Sequence, residues 1–110
     1  MSKERNIIFI KHILDNIDRI ENFSKGMSQE SLKNDELRQY AIVRAIEIIG
    51  EAVKNLPKDF KDDNKDIPWK DIIGTRDIMI HKYFGIDLEA VWDIIEKDLP
   101  DLKRKLKKLV

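Results

Sequence analysis

The stretch ELRQYAIVRAIEIIGEAVKNL, residues 36–56, decides the fold. Wound as a helix, it is apolar around much of its circumference. Asp35 stands where an N-cap belongs, and Pro57 ends the run. Gly50 costs about 1 kcal/mol of helix stability relative to alanine, which predicts close approach of a neighbouring helix, the next in the chain. Arg44, Glu47 and Glu51 interrupt the apolar surface at i, i+3 and i+7, so they lie on one face. That strip is either a solvent-facing ladder of ion pairs or the wall of a polar cleft. In the second case Glu47 or Glu51 orients an arginine or a histidine.

Working outward, residues 4–23 carry Ile10, Ile13, Leu14, Ile17 and Ile20 at helical spacing. Gly26 breaks that helix, and residues 28–33 suit a short helical turn. Downstream, the charged segment 58–66 reads as an exposed loop. Pro68 suits the first turn of a helix running to about residue 83, with Gly85 as a left-handed stop. Asp87 can cap a further helix holding Val91, Trp92, Ile94 and Ile95, which Pro100 kinks or restarts before a basic tail. No segment alternates like a strand. The expected fold is all-α, an antiparallel four-helix bundle with a kinked C-terminal helix, in a single domain over residues 1–110.

Composition narrows the function. Twenty-one basic residues balance twenty-one acidic ones, so any grip on nucleic acid must be local rather than by bulk charge. The absence of cysteine excludes disulfides and thiolate metal sites. The apolar run near the N-terminus stops at Lys11, too short for a signal peptide or a membrane span. A soluble, cytoplasmic protein without membrane contact is the expectation.

The chemistry concentrates in RDIMIHKY, residues 76–83, which gathers Arg76, His81 and Tyr83 in a chain with only two histidines. Arginine holds phosphate through forked hydrogen bonds, and histidine moves protons near neutral pH. Together they equip a site to break a phosphodiester that carries its own nucleophile, which points to RNA. On a straight helix Arg76 and Tyr83 share a face to within about 20°, whereas His81 lies roughly 140° from Arg76. Either the last turn distorts before Gly85, or two chains each bring a set to one groove. A position in the last turn would favour protonated His81. The plainer alternatives are a capping histidine, an Arg76–Asp77 surface pair, and a Tyr83 that closes the core. His12 and His81 have no ligand at i+4, and the Asp-rich loop lacks calcium-loop spacing, so neither metal nor cofactor is expected. Trp69 and Trp92 suit the core or an interface. The basic tail, residues 103–108, either complements a helix C-terminus or supplies a phosphate-binding patch.

The run IPWKDIIGTRDIMIHKYFGIDLEAVW resembles the signature of small HEPN-domain toxins of the HepT type, whose hallmark is Arg-x4-His-x-Tyr. The hallmark falls on Arg76, His81 and Tyr83 without a gap. AIVRAIEIIGEAVKNL and VWDIIEKDLPDL also look like the family's second and fourth helices. The resemblance implies a HEPN-like helical homodimer whose two arginine–histidine pairs line one cleft and cut RNA without metal. It further implies a minimal nucleotidyltransferase antitoxin that attaches AMP to Tyr83, a bulky anion able to block the cleft. Many relatives have asparagine after the arginine. Asp77 puts a carboxylate there, which either orients Arg76 or opposes substrate phosphate. The mechanism expected is attack by a ribose 2′-OH, with His81 as base and Arg76 stabilising the phosphate; DNA, lacking that hydroxyl, is spared. The alternative is a non-catalytic HEPN subunit that binds nucleotide or docks the partner enzyme.

Overall fold

Ile10, Ile13, Ile17 and Ile20 recur at helical spacing and are completely buried along one face of α1 (Lys3–Ser24) in the computed structural model, which describes residues 3–81 and 85–110 and the backbone alone at 76–81. Gly26, with φ +75°, ends that helix in the left-handed conformation that favours glycine. Ser28 and Ser31 then form a reciprocal capping box that opens the short α2 (Gln29–Lys33). Asp35 caps α3 (Glu36–Lys54), its carboxylate accepting the Arg38 N–H at 3.0 Å and the Arg38 guanidinium at 2.7 Å. Those two hydrogen bonds, the backbone one first, hold the Asp35 carboxyl below its ordinary range.

Helix α3 is the centre of the fold. Its Ile42, Val43, Ala45, Ile46, Ile49, Ala52 and Val53 are all buried, which explains why so much of its circumference is apolar. It packs chiefly on α1 and on α5 (Trp69–Met79). A Cβ placed on Gly50 would sit 3.7 Å from the Ile72 carbonyl oxygen of α5, so the expected close approach is present, with room to spare.

Segment 58–66 differs from expectation. It contains a helix, α4 (Lys58–Asp62), where an exposed loop was expected. Pro57, with φ −64°, is preset to lead a helix, and Lys58 pairs with Asp62 one turn later at 3.0 Å. Trp69 fastens the α4–α5 connection. Its indole N–H donates to the carbonyls of Lys61 and Asn64, and its ring lies 6.2 Å from that of Phe60.

The next correction concerns the functional motif. Helix α5 stops at Met79 instead of reaching residue 83, and the chain enters a two-residue antiparallel ladder, β1 (Ile80–His81) with β2 (Gly85–Ile86). Ile80 pairs with Ile86, and His81 pairs with Gly85. Three residues separate the paired positions, and Gly85 takes φ +85°, the left-handed geometry that closes hairpins of this length. Gly85 thus serves a hairpin rather than a helix stop. The β-branched pair Ile80 and Ile86 suits a pleated ladder better than a last helical turn.

Asp87 accepts the Ala90 N–H at 3.1 Å and opens α6 (Leu88–Asp93). A π-helical turn, Ile94–Asp98, joins it to α7 (Leu99–Lys107). The expected break at Pro100 takes this form: Leu99 N–H reaches back five residues to Ile94, and the wider turn relieves the clash a proline ring makes inside an α-helix. Lys103 of α7 bonds both Glu21 and Asp18 of α1, at 3.0 and 3.1 Å, and so ties the ends of the chain together. Among the described residues, four long helical runs surround one core: α1, α3, α5, and α6 with α7.

Candidate functional site

The backbone places Arg76 and Asp77 in the last turn of α5, and His81 beyond the helix in β1. The angle that separates Arg76 from His81 on a straight helix therefore does not apply. Distortion before Gly85 is the alternative the backbone adopts, and the argument from a last-turn dipole at His81 lapses with it. Tyr83 lies outside the described residues. So the motif occupies a junction, with its arginine on a helix and its histidine on a hairpin pinned by the Gly85 pair.

The upstream strip is divided. Arg44 is exposed, Glu47 is half-buried, and Glu51 is exposed with its carboxylate 3.7 Å from Lys54. Glu51 thus has the partner of an ordinary surface ladder. Glu47 is the member of the strip drawn toward the protein body.

Beside the hairpin, β2 helps to form an open depression of about 430 Å³ with the α2–α3 junction. Lys33, Gln39 and Tyr40 contribute to it together with Gly85 and Ile86. Tyr40 is 61% exposed. Lys33 offers a cation and Tyr40 a stacking face, and sequence reading passed over both. The signal was present for Tyr40, which precedes Arg44 by four residues and extends the polar strip by one turn. Lys33 carried none, because its nearness to the hairpin depends on tertiary packing.

The basic tail is mostly engaged within the molecule. Lys103 holds α1, Arg104 pairs with Asp101, and Lys105 reaches both Asp101 and the Asp66 carbonyl. Among the described residues, no group of three His, Cys, Asp or Glu side chains could hold a metal ion. His12, on α1, is exposed. Trp69 is buried and Trp92 half-buried against the core, which makes both structural residues. No helix among the described residues is long and apolar enough to cross a membrane.

Fold and motif together define an all-α domain with an arginine and a histidine set at a helix–hairpin junction. The family model for HepT-like ribonucleases matches residues 13–109, and the chain belongs to that family. A Thermococcus cleftensis protein named probable ribonuclease HepT is 42% identical over 101 residues, covering 92% of each chain. A Caldanaerobacter subterraneus protein, provisionally named an RNase, is 41% identical and covers 93% of this chain and 91% of its own. A Methanocaldococcus jannaschii protein is 43% identical over 103 residues and carries a γ-glutamylcyclotransferase in its name beside a provisional RNase. This chain spans 46% of that relative's length. No solved structure shows a significant match.

Proposed function

We propose that this chain is a metal-independent endoribonuclease, the toxin of a pair in which a minimal nucleotidyltransferase silences it by attaching AMP to Tyr83. The observation that carries the reading is the ungapped Arg76-x4-His81-x-Tyr83 motif in a chain matched by the HepT-like ribonuclease model over residues 13–109. RNA supplies its own nucleophile, so no metal-generated hydroxide is required. The His81 imidazole takes the proton of a ribose 2′-OH, and that oxygen bonds to the adjacent phosphorus. The P–O5′ bond breaks, leaving a 2′,3′-cyclic phosphate, and the departing 5′-oxygen is protonated to a hydroxyl. Arg76 stabilises the charge gathering on the phosphate oxygens.

Glu47 is the natural orienter of Arg76. From the approach of Gly50 to Ile72, about one helical turn back along α3 and one forward along α5 lead to Glu47 and Arg76. Homodimerisation places two such sets at one two-fold axis, so that one histidine serves as base and the other as acid. AMP on Tyr83, two residues from His81, adds a bulky anion where substrate phosphate must bind.

The test is cleavage of total cellular RNA in EDTA by purified protein free of AMP, beside Arg76→Ala and His81→Ala variants. Cutting that survives chelation, leaves cyclic phosphate ends and disappears in both variants supports the assignment. Failure of a dimeric, unmodified protein to cut any RNA would overturn it in favour of a nucleotide-binding subunit.

A further inference from the structure

The depression beside the hairpin gathers polar groups that the fold leaves unused. Its polar wall is Lys33, Asn34, Glu36, Gln39 and Tyr40 from the α2–α3 junction. The Gln39 side-chain amide donates to the Leu32 and Lys33 carbonyls at 2.8 and 3.0 Å, and that of Asn34 donates to the Glu30 carbonyl at 3.2 Å. These bonds pin the wall and leave both amide oxygens as acceptors. Arg38, Lys54 and Lys58 each have a carboxylate partner, but Lys33 and Glu36 have no ion-pair partner among the described residues, and the Tyr40 hydroxyl bonds to none of them. One turn further along α3, Arg44 is exposed and likewise without an ion-pair partner there. An exposed aromatic ring thus stands between two unengaged cations. In a chain of zero formal net charge, that is the local grip that contact with nucleic acid demands, whereas Lys103, Arg104 and Lys105 of the tail are already held within the molecule. The place is also apt: His81 pairs with Gly85, and Gly85 lines the depression, so a nucleotide held there lies beside the motif histidine.

We infer that the depression is a subsite for one nucleotide of a single RNA strand, with guanine as its base. Tyr40 stacks on the base, and Lys33 and Arg44 meet the phosphates on either side of it. Glu36 reads the base. Guanine is the base whose pairing edge presents two adjacent N–H donors, N1–H and the N2 amino group, which a carboxylate accepts as a fork; that edge is open in a single strand and occupied in a duplex. This role accounts for a carboxylate where phosphate binding alone has no use for one. Ile86 is the one aliphatic side chain in the lining, so the depression does not suit the apolar face of a partner helix. The inference rests on the ribonuclease reading only for the identity of the strand as RNA.

The probes are fluorescein-labelled 2′-O-methyl tetranucleotides in which one variable base stands among uridines. The methyl group blocks the attacking hydroxyl, so binding is read by anisotropy whether or not the chain cuts RNA. The guanine probe should bind about tenfold more tightly than the adenine, cytosine and all-uridine probes. Glu36→Gln should abolish that preference. Tyr40→Ala should weaken binding about tenfold, and Tyr40→Phe, which keeps the ring, should restore it. Lys33→Ala/Arg44→Ala should flatten the slope of log affinity against log salt by about 0.7 for each contact removed. Lys65→Ala/Lys70→Ala, which removes equal charge from exposed positions elsewhere, should leave the slope unchanged. Equal affinity for all four probes, unchanged binding by Tyr40→Ala, or equal losses in the two double variants would overturn the inference. A fall in the protein's own oligomeric mass in Tyr40→Ala would also overturn it, assigning this face to a second copy of the chain. The two readings fail separately. Guanine-selective binding by a chain that cuts no RNA would leave the subsite standing without the ribonuclease, and RNA cleavage with no probe preference would do the reverse.

Discussion

At the residue scale, the function proposed above gives Arg76 and His81 separate tasks. Removing a general base or a charge-stabilising donor costs roughly 10²–10⁴ in rate. His81→Ala and Arg76→Ala should each lower RNA cleavage by at least about a hundredfold, with helical circular dichroism unchanged. Loss of the helical signal in either variant would remove the catalytic interpretation of its inactivity. Asp98 gives a different test, because its carboxyl is raised by burial and by Asp93 and Asp71. A carboxyl that is harder to ionise in the folded state destabilises the fold once the pH exceeds its raised value. Below about pH 4 it is protonated in both states and the penalty is absent. Asp98→Asn should therefore raise the melting temperature by a degree or two at pH 7, the size of a solvent-screened surface effect, and leave it unchanged at pH 3. A gain that persists at pH 3 would show a packing effect rather than a charge effect. Arg76, His81 and Tyr83 stood out in the sequence through residue type and, above all, through the family resemblance of the run that holds them. Lys33 and Tyr40 were passed over because they meet the hairpin through folding rather than through sequence proximity.

At the element scale, most helices were legible because their caps are local chemistry. Ser28, Asp35 and Asp87 each accept a backbone N–H three residues on, and Gly26 adopts a positive φ. The failures lay where two local tendencies competed. Residues 78–80 fit a helical pattern, yet the chain leaves the helix after Met79 because Ile80–His81 finds a partner in Gly85–Ile86. Segment 58–66 looked like a loop by its charge, yet Pro57 and the Lys58–Asp62 pair start a helix there. Gly50 offers a direct test of helix packing. The glycine marks the α3–α5 approach, but a Cβ there would make ordinary contact at 3.7 Å. Gly50→Ala should stabilise the protein by about 0.5–1 kcal/mol through helix propensity, read as a higher midpoint in urea. A lower midpoint would mean that the two helices cannot yield even that small distance.

At the scale of the whole molecule, two features bind distant parts of the chain. The first is the aliphatic core around α3, where a fully buried isoleucine contributes about 1.5–3 kcal/mol. The second is Lys103, whose ammonium is shared by Glu21 and Asp18 and is held above its ordinary lysine range, the Glu21 hydrogen bond first among the causes. A raised lysine contributes stability that is complete below about pH 10.4 and lost as the pH climbs through its folded value. Solvent screening limits the effect, so Lys103→Met should cost about 1 kcal/mol at pH 7, measured by urea unfolding. The difference from the parent chain should shrink as the pH rises above the ordinary lysine range. A cost that does not fall with rising pH would belong to the aliphatic stem and not to the charge.

Sequence by itself determined the helical class, the Asp35 and Asp87 caps, and the buried faces of α1 and α3. These follow from periodicity and short-range hydrogen bonding, which act within a few residues. Tertiary structure alone decided that the motif histidine sits in the β1–β2 ladder, that the tail cations serve α1 and Asp101, and that aspartates of α5, α6, the π turn and α7 gather around one cleft. Each of those depends on which distant segments meet. Contacts of that kind are set by the packing of the whole core, where a gain in burial outweighs a local preference.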